Sequence, residues 1–118
     1  MAHPRMTILT VESAPRSAAF YEALLGRPPA ESSPGFALFP LEPGGALGLW
    51  TRAGASPAPA APGGVELVFP AEDVDAAYVD WAARGIAILQ APEDAEFGRN
   101  FVAADPDGHR LRVMSLPA

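Results

Sequence analysis

The sequence predicts an α+β fold in which two βαβββ modules form a curved mixed sheet with a ligand cleft. Each half of the 118-residue chain begins with an alternating strand, followed by an amphipathic helix that ends at a glycine. EPGGALGLW at 42–50 is echoed by DPDGHRLRV at 105–113, which indicates an internal repeat. One helix cannot cover both faces of a module's sheet, so the uncovered faces are expected to meet a partner module or a ligand.

Composition favours one soluble, cytoplasmic domain. Hydrophobic residues make up 49% of the chain and charged residues 19%, which is typical of a folded protein. No apolar run is long enough to span a bilayer, and no cysteine is present to form a disulfide or a catalytic thiol. The net charge of −6 argues against a phosphate-backbone partner. We therefore expect neither nucleic acid nor membrane as a partner.

The domain organisation follows from a proline- and glycine-rich stretch, ASPAPAAPGG, near the middle of the chain. Such a composition is typical of a linker. We predict a single domain over residues 1–118. It consists of a first module at 5–53, a linker at 54–64 and a second module at 65–116.

The first module opens with an alternating strand over Met6–Val11. Ser13 can cap the following helix, Pro15 suits its first turn, and Gly26 marks its end. The predicted buried stripe of this helix is apolar: Phe20, Ala23 and Leu24.

The second module repeats this plan. A strand is predicted over Val65–Phe69, Asp73 is placed to cap a helix, and Gly85 follows the end of that helix. The apolar residues of the helix recur at helical spacing: Val74, Ala77, Tyr78 and Trp81. Trp81 is therefore assigned to the core rather than to a ligand site.

A hairpin closes the chain, with DPDG at 105–108 as its reversal. Counting outward from that turn pairs Phe101 with Arg112 and Ala103 with Arg110. One face of the hairpin then carries arginines and an aromatic ring.

Strand alternation divides the residues between a helix-covered face and the cleft. The predicted helix side contains Leu9, Val11, Leu38, Leu47, Leu49, Val65, Leu67, Phe69, Leu111 and Val113. The predicted cleft side contains Met6, Ile8, Phe39, Gly48, Trp50, Glu66, Val68, Phe101, Arg110 and Arg112. The second set is mixed in polarity, which suits a ligand better than a dry core.

Aromatic side chains on the cleft side are candidate ligand contacts. Trp50 must face the cleft because its neighbours Leu47 and Leu49 occupy the helix side, and its indole can stack on a planar ring. Packing in a dimer contact is the alternative. Phe39 and Phe101 can form the walls of an aromatic slot, or they can pack between modules without a ligand.

Charged side chains on the cleft side have two interpretations. Glu66 and Arg112 can pair with each other, since isolated burial of either charge costs several kcal/mol. Alternatively, Arg112 or Arg110 can meet an acidic or carbonyl group of the ligand. Arg99 can anchor the loop entering the hairpin or contact the ligand, and we rank the anchor first. No serine is aligned with a histidine as a nucleophile and base, so we expect no catalysis by a protein group.

The paired modules, the helix segment SAAFYEALLG at 17–26 and the DPDG turn resemble the glyoxalase, bleomycin-resistance and ring-cleaving dioxygenase superfamily, over nearly the whole chain. In its metal-dependent members, histidine, glutamine and acidic side chains hold the metal. The resemblance places Met6, Gly48, Glu66 and Arg112 at those positions, of which Glu66 alone is a suitable ligand. We therefore expect no metal and no other cofactor.

Two segments, ALGLWTRAG at 46–54 and EFGRNFVAADPDGHRLRV at 96–113, are similar to the metal-free drug-binding members typified by phenazine antibiotic resistance proteins. That resemblance gives Trp50 the role of stacking on a planar ring. It implies a homodimer that binds a planar aromatic antibiotic or secondary metabolite and protects by sequestration, with Met6 also lining the site.

Two rival hypotheses remain. One is a metal-dependent lyase or dioxygenase of the same superfamily that uses unconventional ligands such as His109, Glu66 and Glu96. The other is an interaction module without a ligand, in which mutations of the cleft would affect dimerisation alone.

Overall fold

The computed structural model describes residues 2 and 4–115, and it divides into two compact units between Pro62 and Gly63. Residue 116, the predicted end of the second module, lies outside the described residues. Each unit has the order βαβββ, with one helix and a four-stranded mixed sheet. The predicted α+β fold class is therefore confirmed.

The first unit contains five main elements and a short 3-10 helix. They are β1 (Met6–Val11), α1 (Ala14–Leu25), β2 (Glu31–Ser32), β3 (Phe36–Pro40), β4 (Ala46–Thr51) and the 3-10 helix (Arg52–Gly54). The sheet has the order β1-β4-β3-β2, with β1 parallel to β4 and the other neighbours antiparallel.

Both ends of α1 are set by local chemistry. The Ser13 hydroxyl accepts a hydrogen bond from the amide of Arg16 at 3.3 Å, and the backbone of Gly26 takes the left-handed conformation (φ 74°) that ends a helix. The caps are as predicted, but the buried stripe is not. It consists of Ala14, Ser17, Ala18 and Tyr21, whereas Phe20 and Leu24 are half-buried and Ala23 is exposed. Three of these four buried side chains are small, so side-chain size was a poor guide to the buried face.

The second unit contains β5 (Glu66–Pro70), α2 (Val74–Ala83), β6 (Ala87–Ala95), β7 (Gly98–Ala104) and β8 (Arg110–Met114). Its sheet has the order β5-β8-β7-β6, and β5 is parallel to β8. The Asp73 carboxylate caps α2 by accepting from the amide of Ala76 at 3.0 Å, as predicted. Trp81 lies in the core, also as predicted, whereas Val65 precedes the strand and is exposed.

The closing hairpin differs from the prediction by one residue in register. Phe101 lies opposite Val113 and Ala103 opposite Leu111, rather than opposite the two arginines. The loop is longer than DPDG because the amide of Asp105 donates to the carbonyl of His109 at 3.0 Å. A one-residue slip moves every side chain of the partner strand to the other face.

This register places Phe101 in the core of the second unit, so its predicted position on the cleft side is wrong. Its ring is fully buried and packs edge-to-face on Tyr78 and Trp81 of α2, with centroids 5.5 Å apart in each pair. Leu111 and Val113 share this helix-covered face and are also fully buried or nearly so.

Phe39 is likewise in a core, and its predicted position on the cleft side is also wrong. It pairs with Leu47 across β3 and β4 and is fully buried beneath α1. Leu38, predicted to lie under the helix, pairs with Gly48 on the opposite face. The pairing of β3 with β4 therefore sets the facing of β3.

Candidate functional site

The first sheet has an apolar face opposite α1, which we call the first helix-free face. Its residues alternate with those of the core: Met6, Ile8, Phe36, Leu38, Gly48 and Trp50. Met6 and Ile8 are 46% and 43% exposed, and Trp50 is half-buried. This face offers apolar surface to a ligand, with a flat indole among its side chains.

Gly48 makes room for the ring of Phe36 on this face. A Cβ atom added there would lie 2.9 Å from Cζ of Phe36 and 3.2 Å from Cγ1 of Ile8, so the ring of Phe36 occupies the space that a side chain would fill. Phe36 is also the cross-strand partner of Trp50. Phe36 was not predicted from the sequence, because its position on this face depends on the pairing of β3 with β4.

The second sheet has a polar face opposite α2, the second helix-free face, which is centred on Glu66 and Arg112. Nε of Arg112 donates to Oε2 of Glu66 at 2.9 Å, and Nη2 donates to Oε1 at 3.2 Å. The hydrogen bonds from Arg112 hold the pKa of Glu66 below its ordinary value, against the opposing effect of burial. The same bonds raise the pKa of Arg112. Of the two interpretations from sequence, the structure has the ion pair.

Asn100 extends this pair into a network that the sequence analysis missed. Its side chain is buried, and its Oδ1 accepts from Nη1 of Arg112 at 2.6 Å and from Nε2 of Gln90 at 3.2 Å. An asparagine within the otherwise apolar strand NFVAA was the available signal, because a buried polar side chain needs partners. The network holds the Arg112 guanidinium in one orientation.

The other two candidate ligand-binding arginines, Arg99 and Arg110, have different surroundings. Arg99 forms a bidentate pair with Asp75 of α2, at 2.8 and 2.9 Å, and also reaches Asp94 at 3.2 Å. It ties the start of β7 to the helix, which is the anchor arrangement. The Arg99 contact lowers the pKa of Asp75. Arg110 pairs in register with Glu66, and among the described residues its exposed guanidinium makes no hydrogen bond.

His109 belongs to the hairpin loop rather than to this face. It is buried, and its Nδ1 lies 2.7 Å from Oδ2 of Asp105, whose Oδ1 accepts from the amides of Asp107 and His109. Asp105 thus organises the loop from inside. Glu96 lies exposed in the turn between β6 and β7.

The chain is an α+β protein built from two units of order βαβββ, each with a helix on one face of a mixed sheet. The chain belongs to the Glyoxalase/Bleomycin resistance protein/Dioxygenase superfamily, whose family model matches residues 3–113. In the part of the chain that the structure describes, no helix is long and apolar enough to cross a membrane.

The chain is similar to proteins that are named for antibiotic resistance or antibiotic binding. The chain is 29% identical over 119 residues to the phenazine antibiotic resistance protein EhpR of Enterobacter agglomerans, covering 96% of this chain and 92% of that protein. A protein from Agrobacterium tumefaciens, solved by NMR in solution, is 49% identical with a TM-score of 0.89 over the full length of both chains. The antibiotic-binding protein TnmS3 from Streptomyces sp. CB03234 is 22% identical with a TM-score of 0.75, covering 99% of this chain and 98% of that one. At this level of identity, the similarity to TnmS3 shows a shared fold alone.

The superfamily includes metal-dependent members, but the side chains at the expected metal-ligand positions of this chain are poorly suited to a divalent cation. The carboxylate of Glu66 is held by the Arg112 guanidinium, and a fixed cation at that place repels a metal ion. Met6 and Gly48 offer a thioether and no side chain at all, which are poor ligands for a hard divalent ion. These residues do not fit a divalent metal.

The alternative ligand set of His109, Glu66 and Glu96 is not brought together. His109 is buried against Asp105, whereas Glu66 is paired on the second helix-free face. Over residues 2 and 4–115, no group of three or more His, Cys, Asp or Glu side chains is placed to hold a metal ion.

Proposed function

We propose that this protein binds a planar aromatic small molecule of the phenazine type, without a metal and without changing it chemically, and that it protects by sequestering this compound. The observation that carries the proposal is Trp50. Its indole lies half-buried on an apolar face, and Trp50 is the cross-strand partner of Phe36, whose ring fills the space left by Gly48. A ring stacked on an indole gains about 0.5–1.5 kcal/mol beyond the burial of its area.

The remaining residues of the first helix-free face contribute apolar contact. Met6 and Ile8 are among the most exposed large hydrophobic side chains of the first unit. An unbranched methionine adapts to ligands of different outline, because its thioether is flexible and polarisable. In this proposal Met6 is a ligand contact and Trp50 is the anchor.

We assign to Arg110, rather than to Arg112, the polar contact that orients the ligand. Three of the five N–H groups of Arg112 donate to Glu66 and Asn100, so its charge is paired and its plane is held in place. Arg110 is exposed, and its planar donors suit an acidic or carbonyl group of the ligand. Arg99 acts as an anchor through Asp75 and takes no part in binding.

The resemblance to the phenazine antibiotic resistance protein supports drug binding as the function, because it extends over 96% of this chain. The absence of a catalytic metal is supported by donor chemistry, since the Arg112 cation pairs with the one suitable ligand, Glu66. A homodimer is part of the proposal on family grounds, and sedimentation equilibrium at micromolar concentration measures it.

The test is a titration of chelator-treated protein with planar aromatic compounds, phenazine among them, followed by recovery of the compound. We expect saturable binding and a recovered compound of unchanged mass. Sequestration further requires a dissociation constant below the working concentration of the compound. Binding or turnover that appears only after divalent ions are added would instead favour a metal-dependent lyase or dioxygenase.

A further inference from the structure

Thr10 is a polar side chain on the first helix-free face that the proposed function leaves unused. It alternates along β1 with the core residues Leu9 and Val11, which are 1% and 0% exposed, so its side chain lies on the opposite face of the sheet. In the parallel pairing of β1 with β4, Thr10 is the partner of Trp50, and both residues are half-buried. Thr10 is therefore the immediate neighbour of the proposed stacking residue, within the same unit.

The hydroxyl of Thr10 is available to a ligand, because it makes no hydrogen bond to the described residues. Thr51, the residue after Trp50, is different. Its Oγ1 donates to the carbonyl of Pro34 at 2.7 Å and accepts from the amide of Ala14 at 2.9 Å. On β1, β3 and β4, the other side chains of the first helix-free face are apolar, apart from the indole of Trp50. Thr10 thus supplies the hydroxyl of this face.

The shorter cross-strand neighbour of Trp50 lies on β1. Side chains of a strand stand roughly perpendicular to the sheet, and neighbouring strands are about 4.8 Å apart. A ring in van der Waals contact with the indole lies about 3.5–4 Å from it, and therefore lies above an adjacent strand. On β3 the partner of Trp50 is the large side chain of Phe36, whereas on β1 it is the short side chain of Thr10. The edge of a ring stacked on the β1 side meets Thr10.

A ligand in this position removes the Thr10 hydroxyl from water. A hydroxyl that is covered without a partner is unfavourable, whereas an acceptor atom at the edge of the ligand restores the hydrogen bond. A site that hydrogen-bonds its ligand in this way discriminates against a ligand of the same shape that lacks the acceptor. The chemistry of Thr10 therefore bears on which planar compounds bind.

We propose that Thr10 is a specificity-determining residue, which donates a hydrogen bond to a ring nitrogen or carbonyl oxygen at the edge of the planar ligand. This inference rests on the proposed function, because it takes the ligand to be a planar aromatic compound stacked on Trp50. It narrows the ligand class to ring systems that carry an acceptor atom, as opposed to all-carbon rings. The residues involved belong to the first unit.

Isothermal titration of the full chain with phenazine, in the presence of a chelator, tests this role, since both ring nitrogens of phenazine are acceptors. Thr10→Val replaces the hydroxyl by a methyl group and is expected to weaken binding about 2- to 10-fold, the loss of one neutral hydrogen bond. Thr10→Ser keeps the hydroxyl and is expected to bind like the wild type. Thr7→Val is the matched control and should change nothing. It makes the same substitution on the same strand, but Thr7 pairs with Leu47 on the side of α1.

A pair of ligands of equal shape separates the hydrogen bond from packing. Phenazine-1-carboxylate and anthracene-1-carboxylate have the same outline and the same charge at neutral pH, but the anthracene has no ring nitrogen. The preference of the wild type for the phenazine compound should fall about 2- to 10-fold in Thr10→Val. Equal weakening of both ligands by Thr10→Val would overturn the hydrogen bond to a ring acceptor.

The failure of this inference differs from the failure of the proposed function. Equal affinity of Thr10→Val and wild type for phenazine, together with weaker binding by Trp50→Ala, would overturn the role of Thr10 while leaving the proposed function in place. Absence of phenazine binding by the wild type would overturn both.

Discussion

Glu66 and Arg112 form a bidentate ion pair between the adjacent parallel strands β5 and β8, with hydrogen bonds of 2.9 and 3.2 Å. Its two charges cancel, and Asn100 satisfies a further donor of the arginine. The second helix-free face is therefore organised by a salt bridge.

The pair predicts a dependence of stability on pH. Because Arg112 lowers the pKa of Glu66 in the folded protein, the stabilising contribution is present above the ordinary value of 4.5 and is lost as pH falls through the lower folded value. Urea unfolding of wild type and Glu66→Gln should differ by up to about 1 kcal/mol at neutral pH, a small value because the pair is partly exposed. This difference should shrink steadily below pH 4.5. A difference independent of pH would contradict the pairing.

The buried position of Phe101 predicts a large loss of stability on truncation. Phe101→Ala removes a ring packed against Tyr78 and Trp81, and it should lower the free energy of unfolding by about 3–5 kcal/mol. Phe97→Ala is the control, because that ring is 51% exposed and should cost less than about 1 kcal/mol. Similar losses for both variants, measured by urea unfolding, would refute the register reported for the closing hairpin.

A side chain at position 48 is expected to clash with its neighbours on the first helix-free face. Gly48→Ala places a methyl group 2.9 Å from the ring of Phe36, so that ring must shift. Because the atom approached is the far end of a half-buried side chain, the cost in stability should be about 1 kcal/mol, at the low end for overpacking. Gly54→Ala is the control, since nothing lies within 4 Å of its added Cβ. Unchanged Phe36 ring resonances in Gly48→Ala would be evidence against the close contact.

Removal of the Asp105 carboxylate is expected to disrupt the hairpin loop. Its buried carboxylate accepts from two backbone amides at 2.9 Å and lies 2.7 Å from the His109 ring. Asp105→Ala leaves those groups without this partner and should destabilise the protein by about 3 kcal/mol. Asp105→Asn retains an acceptor and should lose less. Equal unfolding midpoints for Asp105→Ala and wild type would show that the loop does not depend on this carboxylate.

Local chemistry explains what could be predicted from the sequence. The caps at Ser13 and Asp73 depend on residues three positions away, and a fold of two βαβββ modules follows from hydrophobic period and glycine position. The face of the sheet on which Trp50 lies could be predicted from strand alternation, because its neighbours Leu47 and Leu49 lie on the opposite face. Such features need no knowledge of distant contacts.

Register and tertiary contacts explain what could not be predicted. The Asp105 carboxylate accepts from the amide of His109, and the hairpin loop includes His109. The strands β7 and β8 pair one residue away from the register counted outward from DPDG, and Phe101 faces the core. The facing of Phe39 depends on its pairing with Leu47. The network around Arg112 joins residues from β5, β6, β7 and β8, which alternation along one strand does not reveal.

The affinity of Trp50→Ala for phenazine measures whether the ligand stacks on the Trp50 indole. It is compared with wild type and with Leu41→Ala by isothermal titration in a chelator, since Leu41 is exposed in the loop before β4. We expect metal-independent binding by wild type and Leu41→Ala. Binding by Trp50→Ala should be weaker by about tenfold or more, because this variant loses the stack and its buried area. Equal affinity of Trp50→Ala and wild type would contradict stacking on Trp50.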